Sequence, residues 1–476
     1  MRRREVLAAI GASALAACRS PDLRGVALQF KLPEPPRVRI ETAHLLQPLD
    51  ASMLGLALES SALVDPAFIS VENHGLVDRL RALNRGVLCV GGHSADMTLW
   101  QLAGGAAVPK PYRYALDEAA VKRLAGFVEA VGSTLVFGIG LAHDDPARAT
   151  REARAVLQHA GSRLAAFQFG HAPDLYVDNR WRPSGFDAQA YAQEWATFAQ
   201  AVRAGVPKVP FVGPEAIGPQ RQRWVSEFVA RCGDQVGAVT VGEYQQAPRT
   251  EDYDRRRRAA ASQAVPDGTG ASVDLRSIVA AARTRGLPAW ITQAAWLERG
   301  DPADTLEAAL WAIQTFYSGH EQGVARICFD LEKPGAAGPM YHGLKLVAQT
   351  FGGRRVATTA SVSAQDAKDP TKMKVPDNLH AWAVLDARER VQLVLVNRDR
   401  GHSTDVRIAA DRKLAGGTIL RLTGPGYDAR DQVTFAGATV DVAGRWQPQY
   451  TEAVQWVNGT GWLTLGAASA ALVLFE

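Results

Sequence analysis

The chain has almost no cysteine. Four residues in 476, at Cys18, Cys89, Cys232 and Cys328, exclude a disulfide framework. No pair has metal-ligand spacing, so neither a metal nor another cofactor is expected. Cys89 and Cys328 lie in apolar runs, VLCVGG and ARICFD, as core thiols do. Charge of one sign is lacking too: the formal net charge is +4, which does not point to nucleic acid. The one basic cluster, residues 255–258, reads as a solvated face or as an anion patch. Low-complexity tracts are absent. The apolar stretch 6–17 is too short to cross a bilayer as a helix, which takes about 20 residues.

That stretch follows Arg2, Arg3 and Arg4 and ends in Leu15-Ala16-Ala17-Cys18. A basic start, an apolar middle and small residues in that order form a targeting segment. The ending resembles a bacterial lipobox with Cys18 as the lipidated residue, and Arg3-Arg4-Glu5-Val6-Leu7 resembles a twin-arginine signal. Residues 1–18 are expected to direct export. The chain is then expected in the bacterial cell envelope, periplasm or outer membrane, touching membrane only through a lipid on Cys18. Loss of residues 1–17 removes three arginines and one glutamate and leaves a charge of +2.

What remains reads as globular, with 47% apolar residues. Eight short apolar runs, 54–59, 86–92, 134–140, 164–170, 208–213, 236–242, 288–292 and 325–330, alternate with amphipathic segments. That alternation predicts a parallel β/α architecture. Two helix starts stand out. Asp187 is an N-cap with Phe186 and Tyr191 at the staple positions, and Asp301-Pro302 is an N-cap with proline at the first helical position. After Gly352-Gly353 the pattern changes to short β-type runs at 381–384, 391–396, 418–422, 439–442 and 471–475. These predict an all-β sandwich over 354–476, joined by a strand within 26–33.

Two motifs sit at strand ends. Residues 167–195 read FQFGHAPDLYVDNRWRPSGFDAQAYAQEW, and residues 92–96 read GHSAD with Trp100 beyond. They resemble glycoside hydrolase family 79, the microbial β-glucuronidase and heparanase group. That family typically reads Gly-Asn-Glu-Pro-Asp-Leu at the first motif and Gly-Gly-Asn-Ser-x-Asp at the second. The resemblance implies an α/β fold, a (β/α)8 TIM barrel over 46–350, with a C-terminal all-β sandwich domain. It also implies a retaining glycosidase site, with an acid/base ending the fourth strand and a nucleophile ending the seventh. Here the acid/base position is Ala172. The seventh-strand segment WITQAAW puts Gln293 at the nucleophile position.

Retaining glycosidases need two carboxyl groups roughly 5–5.5 Å apart. Gln293 keeps the shape of glutamate without its nucleophilicity, and Ala172 neither donates nor accepts a proton. General acid–base help alone is worth about 10²- to 10⁴-fold. The expectation is therefore an exported, degenerate glycosidase that binds a saccharide, possibly acidic, in the barrel mouth. The alternative is an active glycoside hydrolase with relocated carboxylates, Glu243 after the sixth strand first among them; it also reads as a binding or surface carboxylate. Expected saccharide contacts are Glu59, His93, Asp96, His171, Asp174, Tyr244, Gln293 and Trp296. The bland readings are loop bracing for Asp96 and Asp174, plain loop histidines for His93 and His171, and core or rim packing for the aromatics, Tyr176 and Trp181 included. Asp330 and Glu332, after the eighth strand, read as ligand contacts or, with more weight, as solvated.

Overall fold

The computed structural model describes residues 34–83, 86–100, 107–143, 145–246, 275–298, 301–330, 337–363, 373–374 and 378–476. Cys18, residues 26–33, residues 255–258 and Glu332 lie outside them.

Eight parallel strands close into a barrel. In chain order they are Leu54–Glu59, Val87–Gly91, Thr134–Ile139, Leu164–Phe169, Phe211–Ala216, Ala238–Gln246, Ala289–Glu298 and Val324–Asp330. The seventh pairs with the sixth and the eighth, and the eighth pairs with the first, so no edge is left open. Side chains alternate across each strand. One set points inward and is small: Ala57, Val87, Cys89, Val136, Ala166, Val212, Ala238 and Cys328 form one buried cluster. The outward set is bulky and packs under the helices, with Phe137, Phe167, Phe169 and Phe211 fully buried. The pattern fits a TIM barrel, whose interior is a packed core and whose strand ends carry the chemistry.

The helix Ala188–Gly205 starts where its sequence says. Asp187 accepts from the Ala190 N–H at 2.9 Å. The helix expected from Asp301 starts instead at Leu306, capped by Thr305, whose hydroxyl accepts from Ala308 N–H. Asp301 and Pro302 fold back onto the seventh strand, and Ala303 N–H donates to Trp296 O.

Apart from Asp301–Pro302 and a short parallel pair, Thr98–Trp100 with Tyr114–Leu116, the remaining strands build a mainly antiparallel domain with its own core, Val38, Ile40, Leu393, Leu395, Val406, Leu463 and Val473 among its residues. A strand at Arg37–Pro48 lies in the middle of its sheet, antiparallel to Arg354–Ser363 and parallel to Thr404–Ala410. The expected domain boundary at 46 thus falls inside this strand. The run 439–442 is not a strand. Asp441 accepts from the Ala443 and Arg445 N–H groups, which makes a turn and leaves Val442 exposed. The two domains are locked by ion pairs from Arg400 and Arg398 to Glu307 and by Tyr317 stacked on Trp382 at 5.1 Å.

Candidate functional site at the barrel mouth

Period-two alternation carries the interior face up to the mouth. Two residues beyond Ala57, Ala166 and Cys328 stand Glu59, Gln168 and Asp330, on the same side of their strands. Two further side chains reach the mouth through irregularities. The pairing of the fifth strand shifts between Pro214 and Ala216, around Glu215, and that of the seventh shifts between Ile291 and Gln293. A bulge re-aims a side chain in this way. Glu215 takes a left-handed backbone with φ 58°, and so does Ala172 at φ 50°.

The Ala172 N–H donates to Glu215 O at 3.2 Å, and the Glu215 carboxylate accepts from the hydroxyl of Thr292 at 2.8 Å. Positions 172 and 293 therefore belong to one mouth. The Gln293 amide nitrogen donates to Asp330 Oδ2 at 2.8 Å and to Glu59 Oε1 at 3.2 Å. Glu59 also accepts from Ser94 N–H at 2.7 Å, Ser94 Oγ at 2.5 Å and His93 N–H at 3.2 Å. Gly92, with φ 64°, makes this possible, because a Cβ there would run into the Glu59 carboxylate. Burial, with Glu59 nearby, lifts Asp330 to about 6 against the hydrogen bond from Gln293.

His171 is buried. Its Nδ1 lies 3.2 Å from Glu215 Oε2, and its Nε2 lies 3.1 Å from the hydroxyl of half-buried Tyr244. Gln168 donates its amide to the same Glu215 oxygen. Burial pushes the imidazole down, but Glu215, Glu59 and Asp96 outweigh it and hold His171 at about 9. His93 is exposed and stacked on Trp181 at 4.9 Å; burial of part of its ring and the neighbouring His171 lower it. The His93–Trp181 stack thus stands at the rim.

Several expected contacts are placed otherwise. Asp96 is buried, and its two oxygens accept from Leu141 N–H, Ala142 N–H, His171 N–H and the Tyr176 hydroxyl. A carboxylate has about four acceptor sites, so none is left for a sugar; Asp96 ties three strand-end loops together. Asp174 accepts from Ile217 and Gly218 N–H and braces the fifth loop. Trp296 is 2% exposed, tilted on Trp311 at 5.8 Å with Arg398 5.5 Å over its ring. It belongs to the packing between barrel, helix and β domain. Glu243 is buried at the mouth and paired with Arg221 at 2.7 Å; burial raises it despite that partner.

Sequence reading missed Glu215, Gln168 and Arg221, and set Asp330 aside. Gln168 and Asp330 were within reach of the period-two rule. Glu215 lay past Gly213-Pro214, where the apolar run stopped. Among the described residues, no group of three or more His, Cys, Asp or Glu is placed to hold a metal.

No protein-family profile matches the chain, and no curated protein sequence does. Solved structures match throughout. One is a 4-O-α-L-rhamnosyl-β-D-glucuronidase from Fusarium oxysporum 12S, at 15% identity over 92% of this chain and 100% of that one, TM-score 0.68. Another is an α-L-arabinofuranosidase from Thermotoga maritima, at 15% identity over 92% and 99%, TM-score 0.65. A third is CelM2, a bifunctional glucanase-xylanase from a metagenome library, at 13% identity over 93% and 99%, TM-score 0.62. At such identities the likeness is one of fold, and the fold of this chain is that of barrel-type glycoside hydrolases joined to a β domain.

Proposed function

We propose that this chain is an exported saccharide-binding protein, built on a glycoside-hydrolase scaffold related to family 79, that has lost the retaining carboxylate pair. One observation carries the reading. The position expected to hold the acid/base is a buried alanine, and the position expected to hold the nucleophile is an amide engaged by Glu59 and Asp330. The mouth keeps what recognition needs: acceptors on Glu59 and Asp330, the Tyr244 hydroxyl and the exposed His93 ring stacked on Trp181. Among the described residues Glu59 and Asp330 have no cationic partner, so that side of the mouth suits hydroxyl donors and repels the carboxylate of a uronate.

A second reading, hydrolysis by relocated carboxylates, has one observation in its favour. Glu59 and Asp330 both lie within 3.2 Å of the Gln293 nitrogen, and Asp330 sits at about 6. One carboxyl of the pair can then hold a proton while the other is ionised, which is what acid–base chemistry requires. Glu243 is the weaker candidate, because its carboxylate is already engaged by Arg221 at 2.7 Å.

The test uses the purified full chain with aryl β-glucuronides and other aryl glycosides, alongside calorimetric titration with oligosaccharides. Binding without turnover supports the first reading. Robust turnover, abolished by Glu59→Gln, Asp330→Asn or Glu243→Gln, would establish the second and end the first.

A further inference from the structure

The β domain holds a cavity of its own, lined by none of the mouth residues. Its volume is about 380 Å³, within the range of about 300–1,000 Å³ typical of small-molecule pockets. One wall is the loop that follows the strand Thr404–Ala410, and the other is the hairpin of Gln455–Val457 and Thr460–Leu465. The walls are tied together, because the Trp456 indole N–H donates to Gly416 O at 2.7 Å. Ile408 and Leu414, which belong to the core of the domain, carry its apolar surface into the lining. Ala410 and Trp456, both partly buried, continue that surface. Arg412 and Lys413 are exposed and supply the charged part of the lining.

The lining selects the chemistry of its ligand. Beyond the two cations, its side chains are aliphatic apart from Trp456, whose N–H is already engaged by Gly416. A sugar ring would leave most of its hydroxyls without partners there, and a buried polar group without a partner is costly. An extended apolar body suits these walls, and the cations suit an anion at one end of it. Arg412 donates to the neutral Glu389 carbonyl oxygen, not to a carboxylate. Its neighbour Asp411 is directed elsewhere, accepting from Thr42 N–H at 3.0 Å, the Thr42 hydroxyl at 2.7 Å and Ala43 N–H at 3.1 Å. Glu476 stands against Gly416 and is not part of the lining.

We infer that this cavity binds an acyl carboxylate, an unbranched hydrocarbon chain that ends in an anionic group. The hydrocarbon lies against Ile408, Leu414 and Trp456, and the carboxylate meets Arg412 and Lys413. This second site goes beyond the saccharide reading and does not depend on it.

The test is calorimetric titration of the full chain, near neutral pH, with butanoate, octanoate and octanol. Each buried methylene tightens binding by up to about fourfold, so octanoate is expected to bind at least about tenfold tighter than butanoate. It is also expected to bind at least about fivefold tighter than octanol, which lacks the charge. Replacing both cations, Arg412→Gln with Lys413→Gln, should bring octanoate to within about threefold of octanol. Ala415 is an exposed residue of the lining, and Ala415→Trp should weaken octanoate at least about tenfold by filling the space. The wild-type ranking decides the matter even if a variant fails to fold. No octanoate binding, no gain from butanoate to octanoate, or octanol as tight as octanoate would each overturn the inference. Octanoate binding unchanged in both variants would place it elsewhere and overturn it too. Retention on anionic phospholipid vesicles without octanoate binding would make this face a membrane contact, and would likewise overturn it. None of these outcomes bears on the oligosaccharide titrations, so the saccharide reading stands or falls separately.

Discussion

His171 Nδ1 lies 3.2 Å from Glu215 Oε2, with the two side chains 3% and 2% exposed. An unfolded histidine titrates near about 6.5, whereas His171 is held at about 9. The folded state therefore binds this proton more tightly than the unfolded state does. The resulting stabilisation is complete below about pH 6.5 and is lost as the pH rises through about 9. Thermal melts are expected to drop across that window, and Glu215→Gln to flatten the drop. Equal melting temperatures for wild type from about pH 6.5 to beyond 9 would refute the coupling.

Asp96 fastens the loops after the second, third and fourth barrel strands through four accepted hydrogen bonds. Asp96→Ala leaves three backbone N–H groups and the Tyr176 hydroxyl without their acceptor. The expected cost is roughly 3 kcal/mol or more, read as a lower denaturant midpoint. A loss under about 1 kcal/mol would mean that water replaces the carboxylate there.

Gln293→Glu would turn the one donor shared by Glu59 and Asp330 into a third carboxylate. At neutral pH the expected loss is roughly 1–3 kcal/mol. It should shrink as the solution is acidified, because one of the three groups then takes up a proton. Adding Ala172→Glu rebuilds the lost pair in name. Turnover of an aryl glycoside by the double variant would show that the mouth still holds sugar in a productive pose.

Arg221 and Glu243 form a pair in which the arginine side chain is 18% exposed and the glutamate 4%. Arg221→Met strands a buried carboxylate, at a cost of up to about 3 kcal/mol. Adding Glu243→Gln should recover most of it. If both single variants and the double variant lose the same amount, the pair carries no coupling energy.

Residues alone went far with the barrel and less far with its mouth. All eight runs named from apolar pattern became barrel strands, because small inward and large outward residues leave a local imprint. Ala172 and Gln293 were located together only through the family resemblance, whose motifs at these strand ends are local as well. Glu215 was hidden by its surroundings. A glycine and a proline normally close a run, yet here the strand continues through them and bulges. Arg221 opens a helix, and nothing in its own neighbourhood says that it faces Glu243 from the next strand. The Arg37–Pro48 strand is a plainer oversight: Val38 and Ile40 alternate with Arg37, Arg39 and Glu41, the period of a half-buried strand. Helix onset at Thr305 rather than Asp301 reflects competition, since the seventh strand captures Asp301 first.

The placing of Arg37–Pro48 has an architectural corollary. One sheet takes its central ribbon from ahead of the barrel and its neighbours on both sides from behind it. The barrel is therefore an insertion in the β domain, not its predecessor. No single cut of the polypeptide can release either part whole. During synthesis the leading ribbon must wait, unpaired, until the last quarter of the protein has emerged.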